Sequence, residues 1–233
     1  MIRSLILACL ATSCAFAQLP GPINGTTLLP NGWSISPVGR HLSTPDYVLG
    51  LSPSPDGRVL VGLHSGFNPH GLVVTKPDGS AILQRIPLRS SWMGLAWSPE
   101  GGRLFVSGGN ANGGKKPEVA PIYVFDYREG RLSESPVARF TNGLPAGSIY
   151  WAGLAHHPSR PVLYAANRGT GSEPGHVVAF DSHDGTVLGQ VEVEVTPCDL
   201  QASPEGDTLF VSNWSSRSVS VIDTATLKVK ATL

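Results

Sequence analysis

Ser203-Pro204-Glu205-Gly206-Asp207-Thr208-Leu209-Phe210-Val211 decides the fold, because the chain writes it four times. The other versions are Ser54-Pro55-Asp56-Gly57-Arg58-Val59-Leu60-Val61, Ser98-Pro99-Glu100-Gly101-Gly102-Arg103-Leu104-Phe105-Val106 and His157-Pro158-Ser159-Arg160-Pro161-Val162-Leu163-Tyr164. Each is a tight turn feeding an apolar strand. The turn prolines Pro55, Pro99, Pro158 and Pro204 recur at about 45 residues, with one longer copy, and that period is the size of a propeller blade of four antiparallel strands.

The remaining strands of each unit follow from this anchor. Ahead of each turn stands a short innermost strand: Val48 to Leu51, Met93 to Trp97, Ala152 to Ala155 and Asp199 to Ala202. Glycine recurs five residues before the proline at Gly50, Gly94 and Gly153, where strands crowd around the axis and a missing side chain lets backbones approach; Asp199 takes that place in the fourth copy. A third strand runs over Gly71–Val74, Ile122–Asp126, His176–Asp181 and Ser218–Asp223. Turns at Lys76–Gly79, Arg128–Gly130 and Ser182–Gly185 then lead to an outer strand. Trp33 to Leu42 reads as one further N-terminal strand, and Asn110–Pro121 and Phe140–Tyr150 read as surface loops that interrupt the repeat. Lys115-Lys116 in the first loop reads as solvated rather than as a binding patch.

Composition agrees with many short strands. The 233 residues include 27 Gly and 20 Pro, too many for long helices, while 41% hydrophobic residues still supply a core. Seventeen basic and 17 acidic groups cancel, which argues against a nucleic-acid partner. Residues 1–17 carry Arg3, an apolar run from Leu5 to Ala11 and Ala15-Phe16-Ala17, the layout of a secretory signal with an A-x-A cleavage site. That run is far too short to cross a bilayer, so no membrane span is expected. The expected organisation is a signal over 1–17 and a propeller segment over 18–233, periplasmic or secreted. Neither Cys9 nor Cys14 sits where a lipid-modified cysteine would, and both leave with the signal. Cys198 then remains, read as a small buried thiol.

Leu209 to Leu227, with Val211-Ser212-Asn213-Trp214 near its start, resembles the YVTN-type β-propeller repeat of bacterial exported proteins, and Leu163-Tyr164-Ala165-Ala166-Asn167-Arg168-Gly169 is a weaker copy. The layout from Leu29-Pro30-Asn31-Gly32 onward is similar to the propeller half of exported proteins that carry a phosphoesterase domain behind it. The resemblance implies an all-β propeller that closes seven blades. Four are legible here, so an incomplete ring belonging to a longer protein is the expectation.

Alignment on the turn prolines gathers candidate ligand-binding residues at one end of the channel: His64, Trp92, Trp151, Asn167, Arg168, Asp199, Asn213 and Trp214. Aromatic walls with a few polar groups suit a small polar or sugar-like ligand. The competing explanation is that the asparagines satisfy turns and that Trp92 and Trp151 fill space between blades. His156-His157 cannot both face one side of a strand, and His157 reads as a substitute for the turn serine. Asn24-Gly25-Thr26 and Asn213-Trp214-Ser215 read as turns rather than glycosylation sites. No nucleophile elbow, phosphate loop or haem motif occurs, so no catalytic residue, metal site or cofactor is nominated. The leading reading is a non-catalytic binding or scaffold module for a small polar ligand or a protein partner. Its rivals are the propeller of a phosphoesterase, or a lactonase-like metal-dependent hydrolase using the channel.

Overall fold

Twenty strands and no helix make up the described residues of the computed structural model, which are 19–23, 25–36, 38–39, 41–109, 120–141 and 149–233. Residues 1–18, Lys115-Lys116, Asn24 and most of both interrupting loops lie outside them, so the leader reading of 1–17 falls outside the described residues. Two compact units are present, residues 1–40 and 41–233. In the first, β1 (Gly21–Ile23), β2 (Thr26–Leu28) and β3 (Ser34–Ile35) form an antiparallel sheet. The expected strand from Trp33 to Leu42 is thereby corrected to the two residues Ser34–Ile35. Its central residues bear turn formers, including Gly39 at φ 98°, which cannot continue a ladder.

The second unit holds four sheets in chain order. The first is β4 (Val48–Pro53), β5 (Leu60–His64), β6 (Gly71–Thr75) and β7 (Ile82–Pro87). The second is β8 (Leu95–Trp97), β9 (Arg103–Ser107) and β10 (Ile122–Arg128), whose outer edge is shared by β11 (Arg131–Leu132) and β12 (Ala138–Phe140). Then come β13 (Trp151–His156), β14 (Val162–Asn167), β15 (Pro174–Asp181) and β16 (Val187–Val195). The last comprises β17 (Pro197–Ala202), β18 (Thr208–Asn213), β19 (Ser218–Asp223) and β20 (Lys228–Thr232). Every pairing is antiparallel, and all but that of β10 with β12 join neighbours in sequence, so each sheet is a meander and a blade.

The turns that anchor the repeat work alike. Ser54, Ser98 and Ser203 each accept the amide five residues on through Oγ, at 3.1 Å in all three cases. In the third copy His157 does the capping, with Nδ1 accepting from the amides of Ser159 and Arg160 at 3.1 and 3.0 Å. The turn-substitution reading of His157 is what the geometry displays.

The core lies between blades rather than inside any one of them. Val61, Leu63, Leu72 and Val74 pack against Leu104, Val106, Tyr123 and Phe125. Phe105, Ile122 and Val124 pack against Trp151, Leu163, Ala165 and Phe180. Tyr164, Ala166 and Val177 pack against Leu200, Leu209, Val211 and Ile222. Successive residues of β9 and β14 therefore point into different interfaces, and both strands read as unbroken apolar runs. In β18 Leu209 and Val211 are buried while Phe210 and Ser212 are exposed, so this sheet is packed on one face.

Close approach of the innermost strands is visible at the glycines. A Cβ on Gly50 would stand 2.6 Å from the carbonyl oxygen of Met93, one on Gly94 would run into that of Ala152, and one on Gly153 would stand 2.7 Å from Cα of Asp199. Each blade thus leans its glycine on the next blade's first strand, the radial arrangement expected from the repeat.

Candidate functional site

The ends of the first two strands of each blade meet by register. Val48 pairs with His64, Trp151 with Asn167 and Pro197 with Asn213, while the amide of Trp92 donates to the carbonyl of Ser107 at 3.2 Å. Of the eight candidate residues, His64, Trp151, Asn167 and Asn213 lie at strand ends, Trp92, Arg168 and Trp214 lie just outside strands and Asp199 lies within β17, and their environments differ.

Several are closed in. Trp151 has no exposed surface; its Nε1 donates to the carbonyl of Ala120 at 2.9 Å and its ring meets Phe180 edge-on. Asn167 accepts the amides of Tyr150 and Gly169 through Oδ1, at 2.9 and 3.1 Å. Asn213 donates to Ser218 and Ser220 at 3.2 and 2.9 Å, and its Oδ1 is buried without a partner. His64 is buried, and that burial holds its pKa below the ordinary value. Trp151, Asn167 and Asn213 organise the strand ends through these hydrogen bonds, while Nδ1 of His64 is buried with no hydrogen-bond partner. Trp214 is 73% exposed.

The other three come together with residues the sequence pattern passes over. The guanidinium of Arg168 lies 4.4 Å over the ring of Tyr150, and Tyr150 meets Trp92 edge-on at 5.5 Å. Arg168 Nε is buried with no acceptor. Beside it, the Cys198 thiol sits 3.6 Å from the sulfur of Met93. Burial, then the charge of Asp199, push that thiol's pKa up while Arg168 pulls it down, so both Asp199 and Arg168 act on Cys198. The thiol is therefore kept protonated and inert. Asp199 is exposed, with Oδ1 accepting the amide of Leu200 at 2.9 Å. Tyr150 escapes sequence reading because it stands just ahead of β13 rather than in it, while Met93, read as the start of an innermost strand, lies just ahead of β8. The available signal was an aromatic immediately before Trp151, on the residue facing the Arg168 turn.

This corner combines a cation held on an aromatic platform, an unspent N–H, and a carboxylate. Such a set can bind an anionic or strongly polarised oxygen and hold a water. A second surface lies along the innermost strands, a cleft of about 760 Å³ lined by Leu95, Trp97, Leu154, Leu200, Gln201 and Phe210. Among the described residues no three His, Cys, Asp or Glu side chains gather closely enough to hold a metal ion, and no helix is long and apolar enough to cross a membrane.

Burial of His64, His156 and His157 depresses each pKa below the ordinary 6.5. The unfolded chain then binds protons first as pH falls, so stability is full above about pH 6.5 and declines below it, ahead of the carboxylates. A melting temperature that drops between pH 7 and pH 5.5, and drops less in His156→Gln, is the expected result. A flat profile across that window counts against buried neutral histidines.

Residues 116–231, just under half of the chain, match the family model described as Lactonase, 7-bladed beta-propeller. No protein of curated function matches the chain. Among solved structures, hydrazine synthase of Kuenenia stuttgartiensis is 19% identical with a TM-score of 0.61, over 84% of this chain and 51% of that one. A protein described as a "putative 6-phosphogluconolactonase" from Bacteroides uniformis is 18% identical with a TM-score of 0.58, over 88% and 62%. A protein of Bacteroides fragilis with the same description is 15% identical at 0.58, over 89% and 63%. The chain thus spans about half to three-fifths of the length of these structures. It is an all-β protein built as a propeller of four-stranded antiparallel blades, and over its second half it is similar to seven-bladed lactonases.

Proposed function

We propose that this chain is part of a lactonase-like propeller that hydrolyses a small polar ring ester at the corner formed by Arg168, Tyr150, Trp92 and Asp199. The observation that carries the reading is the match of residues 116–231 to the lactonase propeller model, and it favours a hydrolase over a non-catalytic scaffold. The likeness to 6-phosphogluconolactonase-like structures, a likeness of fold, directs the choice of substrate class toward sugar lactones.

In this reading the lactone ring rests against Trp92 and Tyr150, and Arg168 donates to the carbonyl oxygen as it gains charge. Asp199 takes a proton from water as the water oxygen bonds to the carbonyl carbon. The ring C–O bond then breaks, its oxygen takes that proton back from Asp199, and the product is an open-chain hydroxy acid. The leader read at residues 1–17 would put this chemistry outside the cytoplasm, in keeping with the resemblance to exported YVTN-type repeat proteins.

The test is acid release from glucono-δ-lactone followed by pH-stat, with spontaneous hydrolysis subtracted. The purified protein is expected to exceed background, and Arg168→Ala to lower kcat/KM by about 100-fold, the usual cost of one oxyanion donor. Saturable lactone binding with no turnover would return the chain to the binding-module reading. Turnover unaffected by Arg168→Ala would move the site elsewhere.

A further inference from the structure

At the opposite end of the sheets, beside the Ser-Pro turns, three successive interfaces between blades are finished in three different ways. The residue after each third strand's aspartate is Tyr127, Ser182 and Thr224. All three are equivalent by backbone geometry, their amides donating to the carbonyls of Gly102, Pro161 and Asp207 at 2.8, 2.9 and 3.0 Å. Between the first and second blades, Tyr127 fills the space. Its ring packs edge-on to Trp97 at 5.1 Å, and its hydroxyl donates to Asp56 of the preceding turn at 2.8 Å. That carboxylate also accepts from Ser54 Oγ at 2.6 Å. Between the third and fourth blades, Arg160 reaches across to Thr224 Oγ1 at 2.9 Å.

Between the second and third blades no tyrosine fills the space, and the arginine that crosses reaches main-chain carbonyls rather than a side chain. Glu100 holds the place of Asp56 and is likewise engaged by its turn serine, Ser98, which keeps the carboxylate ionised. His156 holds the place of Trp97. Ser182 stands where a tyrosine would complete the set, and a cavity of about 320 Å³ opens between Glu100, Phe105, His156 and Ser182. Arg103 walls it on one side, donating to the carbonyls of Ser182 and His183 at 3.3 and 3.2 Å. His156 donates through Nδ1 to the carbonyl of His157 at 2.7 Å, and its Nε2 is buried with no hydrogen-bond partner.

We propose that this cavity binds a small phenol, whose ring takes the space that the Tyr127 side chain occupies in the neighbouring interface and whose hydroxyl donates to Glu100. The molecule supplies its own template for the complex, a phenol between an aromatic face and a turn carboxylate. The volume exceeds that of one phenol ring, so substituents on the ring are accommodated. The proposal is independent of lactone hydrolysis, which concerns the other end of the sheets.

The probe is 4-methylphenol, the tyrosine side chain as a free molecule, titrated into the 15N-labelled chain. Saturable shifts are expected at the amides of Glu100, Ser182 and His183, with toluene at least about tenfold weaker because it lacks the donor to a charged acceptor. Ser182→Tyr should fill the space from within and abolish the shifts. Glu100→Ala should keep the fold and weaken binding about tenfold. No saturable shift with 4-methylphenol, equal affinity for toluene, wild-type affinity in Glu100→Ala, or binding retained in folded Ser182→Tyr would each overturn the proposal.

Discussion

Trp151→Ala should cost about 3–5 kcal/mol of stability, the range for deleting a fully buried large aromatic, with a further loss because the carbonyl of Ala120 is left buried without its donor. Whole domains are stable by only about 5–15 kcal/mol, so this one change brings the protein close to unfolding at ordinary temperature. The side chain stands at the start of β13 in the interface between the second and third blades, against Phe180 and beside Phe105 and Leu163. Its removal therefore loosens two sheets at once. Urea denaturation followed by far-UV circular dichroism measures the effect, and Trp151→Phe should recover most of the packing but not the hydrogen bond. An unshifted midpoint in Trp151→Ala would mean that the indole is not part of this core.

Gly94→Ala is the second large effect, and it acts through crowding. The added methyl meets the carbonyl oxygen of Ala152 and stands 2.9 Å from the Leu154 side chain. Because the obstacle is main chain of the neighbouring blade, it cannot rotate aside, and the cost falls at the upper end of the roughly 1–3 kcal/mol typical of overpacking. Gly102→Ala is the matched control, since nothing lies closer than 3.9 Å to its new carbon. If both substitutions shift the midpoint equally, the loss belongs to glycine in general and not to the spacing between blades.

Much of this architecture was legible in the sequence, and the reason is local. Ser-Pro-Asp-Gly turns, period-2 strands and axis glycines each constrain a few neighbouring residues, and four copies let one reading check another. The fate of Trp151 was not legible, because an innermost strand offers apolar positions both to the channel and to the interface, and only the packed neighbour decides between them. The same holds for Arg168. Its partner Tyr150 comes from the connection entering β13, and nothing in either local pattern announces a cation resting on a ring. The cavity at Ser182 lies between these extremes. It appears once Tyr127, Ser182 and Thr224 are set side by side, yet its meaning depends on seeing what Tyr127 does in the fold.

Three hydrophobic clusters each straddle a pair of blades, and none belongs to a single sheet. Such an object grows by accretion: adding a copy supplies one new shared layer and leaves the older layers as they were. Gene duplication can then lengthen or shorten relatives of this chain without redesigning their interiors, and each junction is free to drift in its own way, closing with a phenol ring, a guanidinium or an open chamber.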